Sequence, residues 1–270
     1  MKKKNTAKVN DDKELLNNVF THYKKFGRHT LAWRKKITPY TILVSEMMLQ
    51  QTQVTRVLPK FEEWMKRFPT LEALSQASLQ EVLVVWQGLG YQRRVKALLS
   101  IAKEVRRLPK SYDELLKLPG IGPYTASAIC AFAHDTFTHP VLETNIRTVL
   151  IEYHHLGESE IDDGVLYDDL DHLVTHKKVL AMGARHFYYA LMDYGAYLKS
   201  QKISHNKKSA QHVVQSVYKG SFRELRAKVL FAITHGEPLP CDKRLEEVLM
   251  TLVKEKYIIK NKMKYQLADN

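Results

Sequence analysis

A chain that sets Gly-x-Gly between two helix-forming segments must turn hard at that point, and the stretch LPGIGPYTASAICAFA, residues 118–133, does so. Leu118-Pro119-Gly120-Ile121-Gly122 predicts a tight turn, because both glycines accept positive φ without steric cost. Tyr124 to Ala133 is small and apolar all round, the pattern of a buried helix. Pro123 suits its first turn, where a missing N–H costs nothing. SYDELLKL before the turn predicts a second helix, with Ser111 and Glu114 spaced as a capping box. A helix, hairpin and helix leave backbone N–H groups exposed at one helix start. Gly120 and Gly122 could therefore cradle an anion such as a DNA phosphate, or simply join two packed helices. About twenty residues on, Glu143-Thr144-Asn145 interrupts an apolar run, and Thr144 or Asn145 suits the cap of the helix that starts there. Glu143 is then a candidate catalytic carboxylate at a helix entrance, or only a capping acid.

The chain has 42 Lys+Arg against 29 Asp+Glu, a formal net charge of +13 over 270 residues. Such a balance favours a polyanionic partner. Its two cysteines, Cys130 and Cys241, cannot build a disulfide framework or a four-thiolate cluster. The apolar runs are too short to span a bilayer, and the start, MKKKNTAKVNDDKE, lacks the apolar core of a secretory signal. The expectation is a soluble intracellular chain whose residues 1–13 form a basic mobile tail.

Leu15, Leu16, Val19, Phe20 and Tyr23 recur at helical spacing up to Phe26. FGRHTLAWR, 26–34, reads as a loop holding Arg28 and Trp33. Thr38-Pro39 opens a helix in cap and first position. On it, Glu46 shares a face with Ile42, Leu43 and Leu49. A carboxyl among aliphatic neighbours keeps its proton to higher pH, which suits a general acid. The helix runs out at Gln50-Gln51, whose amides could enter a base stack or read a base edge. Ser78 and Glu81 are spaced as a capping box. Gly88-Leu89-Gly90-Tyr91 is a short glycine turn ending in an aromatic, followed by the basic Arg93, Arg94 and Lys96. Ser221 and Asp242 are placed to cap two late helices, and YIIK and MKYQL alternate as a hairpin turning at Asn261-Lys262.

LPGIGPYTASAI followed by ETNIRTVL resembles the helix-hairpin-helix DNA glycosylase superfamily, which includes endonuclease III. TPYTILVSEMMLQQTQV, 38–54, narrows the resemblance to adenine DNA glycosylases of the MutY type. The resemblance implies that Glu46 protonates a purine leaving group and later activates water. It implies that Glu143 steadies the oxocarbenium sugar and that Asn145 orients Glu143. Tyr124 stands where bifunctional relatives carry a Schiff-base lysine, which implies hydrolysis without efficient strand cleavage. Arg28 and Trp33 would lie near the base pocket, and Tyr91 would wedge into the stack opposite Gln51, with Gln50 beside it. Gly120, Gly122, Arg93, Arg94, Lys207, Lys208 and Arg223 would meet phosphates. Asp193 and Gly195 recur in the family's last core helix.

Three departures stand out. Glu143 replaces the family's Asp, and a carboxylate misplaced by about 1 Å can lose about 100-fold in rate. The four cysteines of the usual iron–sulfur cluster are missing, and His205 and His212 are too sparse to replace them, so neither cofactor nor metal is expected. The segment after residue 206 is too small for the oxoguanine-reading domain of full adenine glycosylases.

The fold expected is all-α: a two-lobed helix-hairpin-helix glycosylase with a small C-terminal winged-helix-like module. The core spans 14–205, one lobe being about 35–148 and the other 14–34 plus 149–205, and the basic module covers 206–270. The expected partner is double-stranded DNA with a mismatch or an oxidised base, bound by a monomer in the cytoplasm or nucleoid. The expected reaction is excision of adenine opposite 8-oxoguanine or guanine. Alternatives are excision of thymine or uracil opposite guanine or of hypoxanthine, and a non-catalytic DNA-binding homologue.

Overall fold

The computed structural model describes residues 2–211, 216–261 and 264–268, with side chains from residue 11 onward. In chain order the helices are α1 (Lys2–Phe26), α2 (Ala32–Lys35), α3 (Pro39–Leu49), α4 (Val54–Arg67), α5 (Leu71–Ser75), α6 (Leu79–Trp86), α7 (Arg93–Glu104) and α8 (Tyr112–Leu115). They continue as α9 (Pro123–His134), α10 (Thr144–His154), α11 (Asp163–Leu173), α12 (Lys177–Met182), α13 (Ala184–Ser200), α14 (Phe222–His235) and α15 (Leu245–Lys254). The described strands are β1 (Ile258–Asn261) and β2 (Lys264–Leu267), antiparallel with Ile258 opposite Leu267. Asn261 closes β1 as the expected hairpin requires; Lys262 lies outside the described residues, as does His212.

The chain divides into two compact units, residues 1–46 with 108–213 and residues 47–107 with 214–270. In the first, α13 is the central helix, and α1, α9, α10 and α12 pack on it. Leu15 and Val19 of α1, Val149 and Leu150 of α10, and Phe187 and Leu191 of α13 are fully buried. In the second, Trp64 of α4 and Trp86 of α6 meet edge to face at 5.6 Å. Val229, Val248 and Ile258 bury the α14–α15–hairpin portion, and Gln80 of α6 donates to the Thr234 carbonyl of α14 at 3.0 Å.

These boundaries differ from those expected. Residues 35–46 and 108–148 belong with the first unit, because α9 and α10 pack on α13. Residues 214–270 join 47–107 rather than standing apart. The expected tail is helical from Lys2, with no glycine or proline to stop it before Gly27, and Asp12 is fully buried.

Local signals explain several helix starts. Thr38 caps α3, its Oγ1 accepting from the Thr41 N–H at 3.1 Å, and Ser78–Glu81 form the expected reciprocal capping box of α6. Ser221 caps α14 through the Glu224 N–H. Two expected caps are absent. Ser111 makes no side-chain cap, and α8 is only four residues long. Asp242 accepts from the N–H and guanidinium of Arg244 instead of capping a long helix directly.

Candidate active site

Glu46 lies on the first unit's part of α3, 6 % exposed. Tyr124 Oη donates to its Oε2 at 2.9 Å. Burial pushes the Glu46 carboxyl up to about 7, and the neighbouring Glu143 carboxylate pushes the same way; the Tyr124 hydrogen bond and the Arg34 charge oppose them. The Tyr124 phenol is itself raised well above its ordinary range, by burial first and then by the two acids. Two carboxyls from distant parts of the chain thus share one electrostatic environment. A group titrating near neutrality can both give and take a proton there.

Tyr124 is placed by the hairpin. Gly120 adopts φ +75°, whereas Gly122 is extended at φ −97°, ψ 178°, so only the first glycine uses positive φ. Gly122 is the N-cap of α9 with no side-chain cap, and Pro123 takes the first helical position.

Glu143 itself is the N-cap of α10, in the place predicted for Thr144 or Asn145. Its Oε1 accepts from the Asn145 and Ile146 N–H groups at 2.9 and 3.0 Å, and its Oε2 accepts from Asn145 Nδ2 and Thr144 Oγ1, both at 3.1 Å. The side chain folds back on the helix start, which takes up the extra methylene of Glu over Asp and fixes both oxygens. The cap is what orients the carboxylate. Asn145 thus holds Glu143 through both its backbone and its side-chain amide. Gly195 of α13 permits this approach, for a Cβ there would lie 2.2 Å from the Asn145 carbonyl oxygen.

Arg28 is tied to Asp193: its backbone N–H and Nε donate to the carboxylate at 2.8 and 2.6 Å. Arg34, which the sequence reading did not single out, pairs with the same carboxylate through both terminal nitrogens at 2.7 and 3.0 Å and stacks 4.0 Å over Tyr189. Burial works against the Asp193 charge, and the Arg34 and Arg28 contacts outweigh it, holding the carboxyl below its usual range. A buried Asp193 demands a cation, which was the signal that could have found Arg34. Trp33 is 4 % exposed.

The second unit holds Gln50, Gln51, Tyr91, Arg93, Arg94 and Arg223. Gln51 and Tyr91 both adopt left-handed backbone, φ 56° and 47°, and Gly88 and Gly90 bracket the turn at φ 87° and 70°. For Gln51 and Tyr91 this conformation costs about 1–3 kcal/mol, a strain that clusters at ligand-binding positions. A cleft of about 810 Å³ within this unit is lined by Gln51, Trp86, Gly88, Gly90, Tyr91 and Arg223. Arg223 donates to Tyr91 Oη at 2.9 Å and to the Ser216 carbonyl at 2.7 Å, so it steadies Tyr91.

Arg94 corrects the sequence-based expectation of a phosphate contact. It is 5 % exposed and donates to the carbonyls of Met47, Gln50 and Leu89 at 2.6, 2.7 and 2.9 Å. The last carbonyls of a helix lack intrahelical partners, and the planar guanidinium supplies them. Burial lowers its pKa to about 10. Arg93 is exposed, with its guanidinium 5.9 Å from the Tyr91 ring centre. Lys96 Nζ is taken by the Glu255 and Lys256 carbonyls. Of the late basic run in the first unit, Lys207 is exposed, whereas Lys208 donates to the Leu156 carbonyl at 2.7 Å and is half-buried. Gln50, in the second unit, sends its amide toward Met47 Sδ at 3.9 Å.

The donor set does not fit an iron–sulfur cluster. Cys130 is buried on α9 and Cys241 is exposed, and two thiols cannot supply four. His205 bonds Glu152.

A helical frame that presents a proton-holding acid and a second carboxylate beside a helix-hairpin-helix turn defines the class: helix-hairpin-helix DNA-repair proteins. The family model for the HhH-GPD superfamily of base excision DNA repair proteins matches residues 44–249, and the chain belongs to that superfamily. It is 41 % identical over 144 residues to an adenine DNA glycosylase of Buchnera aphidicola subsp. Baizongia pistaciae, covering 52 % of this chain and 41 % of the relative. It is 37 % identical over 190 residues to an adenine DNA glycosylase of Mycobacterium tuberculosis, covering 66 % and 60 %. The chain thus spans about half the length of the curated relatives it matches. The structure of a thermostable thymine-DNA glycosylase superposes with a TM-score of 0.60 at 21 % identity, over 75 % of this chain and 94 % of that one. A non-covalent endonuclease III–DNA complex gives 0.53 at 14 %, over 69 % and 85 %. These two establish the shared fold.

Proposed function

We propose that the chain is a monofunctional DNA glycosylase that hydrolyses the N-glycosidic bond of a flipped adenine mispaired with 8-oxoguanine or guanine. The observation that carries this is Glu46, buried, titrating near 7 and hydrogen-bonded to Tyr124 in the field of Glu143. The names of the similar curated proteins point to the same base.

Glu46 gives its proton to the adenine, at N7, as the C1′–N9 bond breaks and the bonding electrons leave with the base. The sugar becomes an oxocarbenium ion, and the Glu143 carboxylate, held by the α10 start, stabilises that positive charge. Glu46, now a carboxylate, takes a proton from the water that adds to C1′. Purines offer N7 and pyrimidines do not, which favours a purine substrate. Tyr124 cannot form an imine with C1′, so no lyase step follows. In this reading Gln51 and Tyr91 fill the stack vacated by the base, and the hairpin at Gly120 and Gly122 together with Arg93, Lys207 and Arg223 meets phosphates. The protein acts as a monomer on duplex DNA inside the cell, and base release needs no cofactor; no helix among the described residues is long and apolar enough to cross a membrane.

The test is single-turnover cleavage of duplexes carrying A:8-oxoG, A:G, T:G, U:G or hypoxanthine, each read with and without alkali. Adenine opposite 8-oxoguanine or guanine should be released, with strand breaks only after alkali. Release of thymine, or of no base at all, would refute the assignment.

A further inference from the structure

We propose that the first unit carries a zinc-type divalent metal site formed by Asp12, His172 and His176, with His154 packed behind the Asp12 carboxylate. Asp12 is fully buried on α1. Its Oδ2 lies 3.0 Å from His172 Nε2 and 3.5 Å from His176 Nε2, and its Oδ1 lies 3.1 Å from His154 Nε2. Nitrogen and oxygen ligands sit about 2.0–2.2 Å from zinc, so neighbouring corners of the tetrahedron lie roughly 3.3 Å apart. The Asp12 distances bracket that edge. The ligand atoms of Asp12, His172 and His176 all lie within 4.8 Å of one another. His172, near the end of α11, and His176, the cap of α12, are four residues apart, and their rings cross at 87°.

The second observation is His154, whose side chain is 2 % exposed. Its Nδ1 faces Asp169 Oδ2 at 3.2 Å while its Nε2 faces Asp12 Oδ1, yet neither nitrogen, nor Asp12 Oδ1, makes a hydrogen bond. A neutral imidazole has one N–H and one lone pair, so between two carboxylates one contact sets a lone pair against an anion. A cation held through Asp12 Oδ2 offsets the charge of that carboxylate and so eases the conflict, with His154 Nδ1–H turned to Asp169. A group packed behind a ligating carboxylate is the usual outer arrangement of a metal site. His155 extends it, with Nε2 2.6 Å from Asp169 Oδ2 and Nδ1 2.8 Å from Glu158. Imidazole and carboxylate donors suit zinc rather than calcium or magnesium. His172 and His176 are partly exposed, which leaves a side open for a water ligand. The site joins α1, α11 and the α12 cap, and His154 backs it from α10, the helix whose opposite end holds Glu143. It is a staple for this unit, independent of the glycosylase reading.

The test uses the full chain, stripped with chelator and titrated with Zn²⁺ by calorimetry and with Co²⁺ by visible absorption. One equivalent should bind, Co²⁺ should give the intense bands of tetrahedral coordination, and Zn²⁺ should raise Tm over the chelated protein. His172→Gln and His176→Gln, at partly exposed positions, should each weaken binding by at least about tenfold, with folding checked by circular dichroism. His205→Ala, elsewhere in the same unit, should leave it intact. No saturable binding, an unchanged Tm with chelator or zinc, or binding that survives the His172→Gln/His176→Gln double variant would overturn the site in favour of a metal-free histidine–carboxylate network.

Discussion

Glu46 keeps its proton chiefly because it is buried, and the smaller contributions around it can be separated by mutation. Tyr124→Phe removes a hydrogen bond that favours the carboxylate, so Glu46 should titrate at higher pH than its about 7. Glu143→Gln removes a like charge, so Glu46 should titrate lower. Carbon NMR of the Glu46 carboxyl reads both, and shifts in the opposite directions would discard this electrostatic account. The same burial sets a stability window. Between the ordinary 4.5 and about 7 the unfolded chain has released a proton that the folded one retains, so stability falls as pH rises, by about 3 kcal/mol in all. Glu46→Gln should therefore be more stable than the wild type above neutrality by up to about 3 kcal/mol, with no gain near the acid end of the window. Denaturant unfolding at both ends measures this.

At the scale of elements, two helix ends carry the architecture of the site. Arg94 answers the terminal carbonyls of α3, and a lysine cannot reproduce its planar fork. Arg94→Lys should cost about 2–3 kcal/mol of stability in urea unfolding, whereas Arg93→Lys should cost almost nothing. Gly195→Ala should drive α13 against the Asn145 carbonyl, at about 1–3 kcal/mol, and should slow base release at least about tenfold by displacing the Glu143 cap. The sequence made much of this legible. Thr38-Pro39, Ser78 with Glu81, and Ser221 announce α3, α6 and α14 because cap chemistry is local. Glu46 was readable as a raised acid because its helical neighbours are aliphatic. Arg94 was not, since adjacent arginines after a glycine turn look like a phosphate grip until the fold buries one. The Glu143 cap was legible only as one of two readings, since shorter side chains are the usual caps.

At the scale of the molecule, each compact unit is assembled from two separated stretches of chain. Such boundaries depend on which distant helices pack, as α9 and α10 do on α13, and periodicity along the sequence carries no record of that. The net charge of +13 adds a prediction at this scale: duplex affinity should fall steeply and linearly in log–log form with added salt, as counterion release requires, and a salt-independent affinity would contradict phosphate-led binding. The central claim, that Glu46 delivers a proton to the departing base, is tested most directly by the single-turnover rate of adenine release against pH. The rate should decline by about tenfold per pH unit above about 7 and should be lost by about 100-fold or more in Glu46→Gln, which still binds the duplex. A rate flat across neutral and alkaline pH, or a Glu46→Gln variant as fast as the wild type, would contradict it.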